Sequence, residues 1–264
     1  MTVQNSTTEK SQSSLSNFLW TLVRVREAGI GIFILILVVA VTLRAPSFLT
    51  FKNFNEILLN IAILAIVALA QTMVILTKGI DLSVSSTIGL VAMMVAFVIK
   101  ENPEMPIVLM VLLAMALGAV LGMFNSIIIA YGNVPPIIAT LGTLSIYRGL
   151  VFYYSQGTWI NSFELPSNFK ILSKGTLLGL PNMVVIAILV AIGVYYFLKY
   201  TRTGRDIFAV GSNPDAALFA GIRKQRIIFL VYVISGLLSG LAAILWASRI
   251  DSAQTNTPLR FELQ

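Results

Sequence analysis

Residues 199–226 read KYTRTGRDIFAVGSNPDAALFAGIRKQR, a long polar insertion between two apolar runs. Lys199, Arg202, Arg205, Arg223, Lys224 and Arg226 stand in it against only Asp206 and Asp215. An excess of cations beside membrane-crossing segments marks the cytoplasmic side, so this loop sets the orientation of the rest. Within it, Ser212 to Gly221 carries the punctuation of a two-turn helix. Asn213 suits the cap, Pro214 the first helical position and Asp215 the positive end of the helix dipole, while Gly221 can end the helix in a left-handed conformation. Ala216, Ala217, Leu218 and Phe219 complete the turns. A helix this short is not stable alone in water, so the chain itself or another protein must hold it, with Leu218, Phe219 and Ile222 as the apolar contacts. Two uses stay open: an amphipathic turn lying on lipid headgroups, or a docking knob for a separate cytoplasmic engine.

The surrounding composition fixes the class. Of 264 residues, 57% are hydrophobic and 11% charged, with a mean hydropathy of +0.89. A soluble domain carries about a quarter charged residues, so the reading is all-α: a polytopic helical bundle whose first partner is the lipid bilayer. Cysteine and histidine are both absent. Disulfides, thiolate or imidazole metal sites and Ser-His or Cys-His nucleophiles are thereby excluded. The net charge of +7 sits in short loops beside apolar runs, where topology and anionic lipid account for it, and nucleic acid is not implied.

In chain order, residues 1–17 read as a disordered cytoplasmic tail and 18–264 as the transmembrane domain. Leu15, Phe18, Leu19, Leu22 and Val23, with Arg24 and Arg26 following, predict a helix lying in the interface. About seven spans follow: Ile30–Leu43, Ile57–Thr77, the run after Asp81 to Ile99, Pro106–Tyr131, Pro135–Tyr154, Pro181–Leu198 and Ile227–Trp246. The polar stretch Ser155–Leu180 falls outside, and seven spans with the 199–226 loop inside place the amino terminus in the cytoplasm. Lys10, Arg24, Arg26, Lys78 and the loop cations are then inside, and Arg44, Lys52, Lys100, Lys170, Lys174, Arg249 and Arg260 outside.

Few groups at depth can do work. Asp81 and Glu56 fall at span ends, which leaves Arg148 as the full charge inside a span. A proton-driven carrier needs a titratable group in the membrane, and a motor needs a phosphate-binding glycine loop; the chain offers neither, so its energy comes from partners and it needs no cofactor. Gln71, Thr72, Asn125, Ser126, Thr140, Thr143 and Ser145 are neutral hydrogen-bonding groups. They suit a pathway for an uncharged, hydroxyl-rich solute, and equally suit bonds between helices. Gly79 with Asp81 and Ser83 forms the turn into the third span, where the two side chains can cap free amides. Gly118 with Gly122, and Gly236 with Gly240, read as close-packing positions.

Several blocks resemble one family. Gly211-Ser212-Asn213-Pro214, then Ala216-Ala217 and Gly221-Ile222, is similar to the coupling loop in permease subunits of sugar-type ABC importers. Asn55 with Ile57-Leu58, Gly79-Ile80-Asp81-Leu82-Ser83-Val84, Val134 to Thr143 and Tyr147-Arg148-Gly149 resemble the ribose-type branch, in the right order. The resemblance implies a non-enzymatic permease of the bacterial inner membrane, built as a dimer with a second copy or a paralogue. It further implies cytoplasmic ABC ATPase subunits that dock on Asn213–Ile222, a periplasmic or extracellular sugar-binding protein, and a pentose, methylpentose or hexose as cargo. A permease for nucleosides or branched-chain amino acids and a self-contained channel or facilitator remain as alternatives. A membrane enzyme is disfavoured by the absent His, Cys and clustered carboxylates. Lys78 stands where the family usually has glycine, and Ser85-Ser86 where Gly-Ser is common. Phe261–Gln264 falls where the family runs on into further spans, so the chain reads as truncated and is expected to assemble poorly alone.

Overall fold

The computed structural model describes residues 26–177 and 179–254. The expected tail and interfacial helix before Arg26, and the end at Phe261–Gln264, lie outside the described residues. The chain divides into two compact units at Ile57. The first holds α1 (Arg26–Arg44) and a 3-10 turn, Pro46–Leu49. At 19 residues, α1 is apolar and its side chains from Ile30 to Leu43 are mostly exposed.

The second unit continues α2 (Phe51–Leu76) and adds α3 (Val84–Glu101), α4 (Ile107–Ala130) and α5 (Pro136–Ser155). A short α6 (Ser167–Lys174) and a hairpin of β1 (Thr176–Leu177) with β2 (Leu180–Pro181) follow. Then come α7 (Asn182–Tyr200), α8 (Arg202–Ser212), α9 (Pro214–Phe219) and α10 (Lys224–Ile250). Among the described residues, six helices, α2 to α5, α7 and α10, are long and apolar enough to cross a bilayer; the first expected span corresponds to a shorter apolar stretch, Gly29–Arg44. The chain is thus an all-α, multi-pass membrane bundle. Helix ends run past the hydropathic limits read from sequence, as at Phe51–Glu56, because Lys52, Asn53 and Asn55 interrupt apolarity without breaking a helix.

Two helices form the interior. Within their apolar windows α3 is 72% buried and α10 67%, against 17% for α7. The reason is side-chain size. Ser85, Ser86, Gly89, Ala92 and Ala96 in α3, and Ser235, Gly236, Ser239, Gly240, Ala242 and Ala243 in α10, let neighbouring backbones approach, as lipid-excluded interfaces require. One close approach joins α4 to α10. A Cβ on Gly118 would overlap the Gly236 carbonyl oxygen, one on Gly236 the Gly118 oxygen, one on Gly122 the Tyr232 oxygen and one on Gly240 the Ala114 oxygen. The small-residue pairs are therefore interlocked, as their four-residue spacing predicts.

At the far end from α8 and α9, the stretch expected as plain polar loop is structured. Phe169 and Leu172 of α6 are buried, and Ser173 donates to the Ser248 carbonyl at 2.8 Å while Ser248 donates to the Phe169 carbonyl at 2.9 Å. Asp251, left-handed at φ 57° just past α10, accepts from Ser162 at 2.6 Å and pairs with Lys170 at 3.1 Å and Lys174 at 3.4 Å. Burial alone would raise its carboxyl, but these hydrogen bonds and the two lysine charges hold it below its ordinary 3.8. A lowered carboxylate stabilises above the unfolded value and loses that contribution as pH falls through the folded one. Asp251→Asn should therefore lower the melting temperature at pH 6, and the difference from the parent should shrink steadily as the pH is taken toward 3. A second test addresses the interior. Gly118→Val or Gly236→Val should cost at least the ~1–3 kcal/mol of ordinary overpacking, because backbone must move. Gly193→Ala, with nothing within 4 Å of the new methyl, should leave the melting temperature unchanged or raise it.

Candidate functional site

The 199–226 loop is more ordered than its sequence suggests. Thr201 caps α8, its hydroxyl accepting from the Gly204 amide at 3.0 Å, and Gly204, Ile207, Val210 and Gly211 form the buried stripe. Apolar residues three and four apart after a threonine cap were the available signal for this helix. Asn213 then caps α9: its Oδ1 accepts from the Asp215 and Ala216 amides, both at 3.1 Å. Pro214 opens the helix, Asp215 lies in its first turn and Gly221 leaves it at φ 80°. The Ile222 amide reaches back to the Ala217 carbonyl at 2.9 Å and the Gly221 amide to that of Leu218, also at 2.9 Å, closing the free carbonyls of the last turn.

The apolar contacts differ from expectation. Ala217 is buried and Ile222 half-buried, whereas Leu218 is 64% and Phe219 91% exposed. The small Ala217 faces inward because α9 lies close against its neighbours, which turns the two large side chains outward. Among the described residues, Leu218 and Phe219 are turned largely away from the rest of the chain. Asn213, Asp215 and Ala216 are exposed and Pro214 half-buried, so α9 stands as a capped knob with an apolar tip.

The other candidates gather at the connection Thr77–Ser83 between α2 and α3. Here the chain doubles back, so that Gln71 Nε2 in α2 donates to the Asp81 carbonyl at 3.0 Å. Asp81 Oδ1 accepts from the Ser83 amide at 2.9 Å and the Ser83 hydroxyl at 2.6 Å. Asn125 Nδ2 of α4 donates to Ser83 Oγ at 2.8 Å. Thr140 of α5 donates to its own helix at Pro136 O, 2.8 Å, and lies 3.3 Å from the Ile80 carbonyl. Gly79 is required by crowding: a Cβ there would stand 2.8 Å from the Tyr232 hydroxyl and 3.1 Å from Val74.

Two expectations change. Neither Asp81 nor Ser83 caps the first-turn amides of α3, because Asp81 takes up both the amide and the hydroxyl of Ser83 in a local Asx turn. Asp81 lies in the connection between two spans, as expected, yet is not fully exposed there. The turn folds back against α2, α4 and α5, leaving Asp81 half-buried close to Tyr147 and Tyr232. The neutral groups also divide. Thr72, Ser126, Thr143 and Ser145 turn their hydroxyls onto carbonyls of their own helices. Gln71 and Asn125 make bonds between elements, and Thr140 does so in part. Sequence reading gave no role to Tyr147, whose hydroxyl donates to the Leu121 carbonyl at 2.8 Å, or to Tyr232, buried beside Gly79. Both lie in apolar runs where nothing but fold geometry marks them. Asn125 Oδ1 and the Tyr232 hydroxyl are buried without a hydrogen-bond partner.

The knob and the turn touch. A Cβ on Gly211 would overlap the Leu76 carbonyl oxygen, and Lys78 Nζ donates to the Ser212 carbonyl at 3.3 Å. A cavity of about 310 Å³ opens beside them, lined by Thr77, Lys78, Asn133, Val210, Pro214 and Lys224 among others.

Comparison with known proteins places this geometry. Residues 53–264 match the family model described as branched-chain amino acid transport system / permease component. The autoinducer 2 import system permease protein of Enterobacter sp. (strain 638) is 36% identical over 245 residues, covering 92% of this chain and 70% of the relative. The ribose import permease protein of Escherichia coli K12 is 36% identical over 234 residues, covering 88% and 72%. The galactose/methyl galactoside import permease protein of the same strain is 33% identical over 259 residues, covering 92% and 76%. The comparison with solved structures finds no match. A match over most of the chain, relatives above 30% identity along most of their own length, and six long apolar helices among the described residues together show that this chain belongs to that family of transport-system permease components, as a multi-pass membrane protein.

Proposed function

We propose that the chain is the membrane subunit of an ATP-driven importer for a monosaccharide, moved by separate ATPase subunits that seat α9. The observation that carries this is the apolar tip. A soluble-facing helix of six residues with Phe219 91% and Leu218 64% exposed is held by its cap and by Ala217, which leaves its large side chains for a partner. Its setting agrees: Arg202, Arg205, Arg223, Lys224 and Arg226 flank it along the chain and Lys78 reaches Ser212 at its base, so this end of the bundle faces the cytoplasm and the amino terminus lies on the same side if α1 crosses the membrane. The import permeases of ribose and of galactose or methyl galactoside support a monosaccharide as the solute.

The assembly follows from the same reading. A second permease copy or paralogue completes the pathway, and a solute-binding protein delivers the sugar at the end formed by α6 and Asp251. Asn125, Thr140 and Thr143 are buried, whereas Gln71 is half-buried and Thr72 exposed, so by accessibility alone solute contact falls to Gln71 and Thr72.

Because Ala217 is buried, a bulky residue there would disturb α9 itself, and Phe219 is the better probe. Phe219→Asp should leave membrane insertion and melting temperature unchanged, abolish co-purification of the ATPase subunits and reduce ATP-driven sugar uptake into vesicles at least tenfold. Uptake at the parent rate by this variant would contradict the docking role, and concentrative uptake in vesicles without any ATPase subunit would favour a self-contained carrier.

A further inference from the structure

Lys78 occupies a backbone conformation suited to glycine. Its φ is 61°, in the left-handed region that an L side chain adopts only at a cost, and a strained residue kept in place points to use of its side chain. The side chain does one thing: its ammonium donates to the Ser212 carbonyl, one of the free acceptors at the carboxyl end of α8. Ser212 adjoins Asn213, the cap of α9. The neighbouring Gly211 already brings the α8 backbone against the Leu76 carbonyl, so backbone contact and lysine together clamp the base of α9 to the turn. The cavity of about 310 Å³, lined by Thr77, Lys78, Val210 and Pro214, adjoins the clamped pair. Beyond Lys78, the turn is registered on three helices through the Gln71, Asn125 and Thr140 contacts.

We propose that Lys78 is a positioning residue that ties the α8–α9 knob to the Thr77–Ser83 turn, so that displacement of α9 is carried through Ser212 and Gly211 into the hydrogen bonds around Asp81. Its use in transport rests on the docking role of α9, but the tie itself belongs to this chain and can be measured without partners. The aliphatic stem contributes nothing to it; the donor does.

The test is a double-mutant cycle read by amide hydrogen exchange of the full chain in lipid nanodiscs. Asn213→Ala removes the cap of α9, and loosening should raise exchange at Asp215 and Ala216 by ~5-fold, the ordinary worth of such a cap. With Lys78 present, exchange at Gly79 and Ser83 should rise in step. In the Lys78→Met and Lys78→Gly backgrounds the rise at Gly79 and Ser83 should vanish while that at Asp215 persists, and Lys78→Arg should restore it. Lys78→Gly should also raise the melting temperature by relieving the left-handed strain, which separates lost coupling from lost stability. Exchange at Gly79 and Ser83 that ignores Asn213→Ala, or that follows it equally in the Lys78→Met background, would overturn the proposal. Either result leaves the docking of α9 standing, since that is read from Phe219.

Discussion

The distance between α4 and α10 is the constraint on which the rest depends. Gly118 and Gly122 interlock with Gly236 and Gly240 so closely that carbonyl oxygens occupy the places where side chains would be. Between helices in lipid there is no hydrophobic drive, and packing of this closeness supplies the attraction instead. The same approach places Tyr232 over Gly79 and Asn125 beside Ser83. Widening it by one methyl would pull apart the turn as well as the helices. A bundle of apolar helices thereby keeps one non-helical connection, Thr77–Ser83, folded back among its members. Irregular backbone in that setting needs partners for its polar groups, and Gln71, Asn125 and Thr140 stand where they can provide them.

A second consequence concerns the two ends of the bundle. Where α6 docks, buried apolar residues and a carboxylate held by two lysines fix the connections firmly. Where α8 and α9 lie, the contacts are a buried stripe through Ile207 and Val210, a cap, a glycine against a carbonyl and one lysine donor, with a cavity beside them. The first end is built like a lid fastened to the bundle, the second like a lever resting on it.

Much of this was legible in the sequence, and the limits have physical causes. Spans α2 to α5, α7 and α10 follow from hydropathy, and the glycine pairs from their spacing. The α9 cap could be placed at Asn213 because short-range capping depends on residues adjacent in the chain. The burial of Ala217 and the exposure of Phe219 could not be read, since the helix periodicity of six residues does not say which side meets a neighbour. Asp81 lay at the end of an apolar run and read as a cap; its half-burial comes from a reversal that brings it back along α2, a contact ten residues apart that no local pattern encodes. The Thr and Ser hydroxyls suggested a polar pathway, yet most bond to carbonyls one turn earlier in their own helices, a choice open to them in any helix. Lys78 was legible as an odd residue at a glycine-like position, but its partner at Ser212, 134 residues away, was not.

The account holds that the chain is moved from the cytoplasm through α9, and the side of the membrane on which α9 lies tests that most directly. The sequence contains no cysteine, so a single Phe219→Cys substitution is the sole thiol in the chain. A membrane-impermeant maleimide should label it in inside-out membrane vesicles and leave it untouched in right-side-out vesicles. Labelling from the outer face would contradict the account.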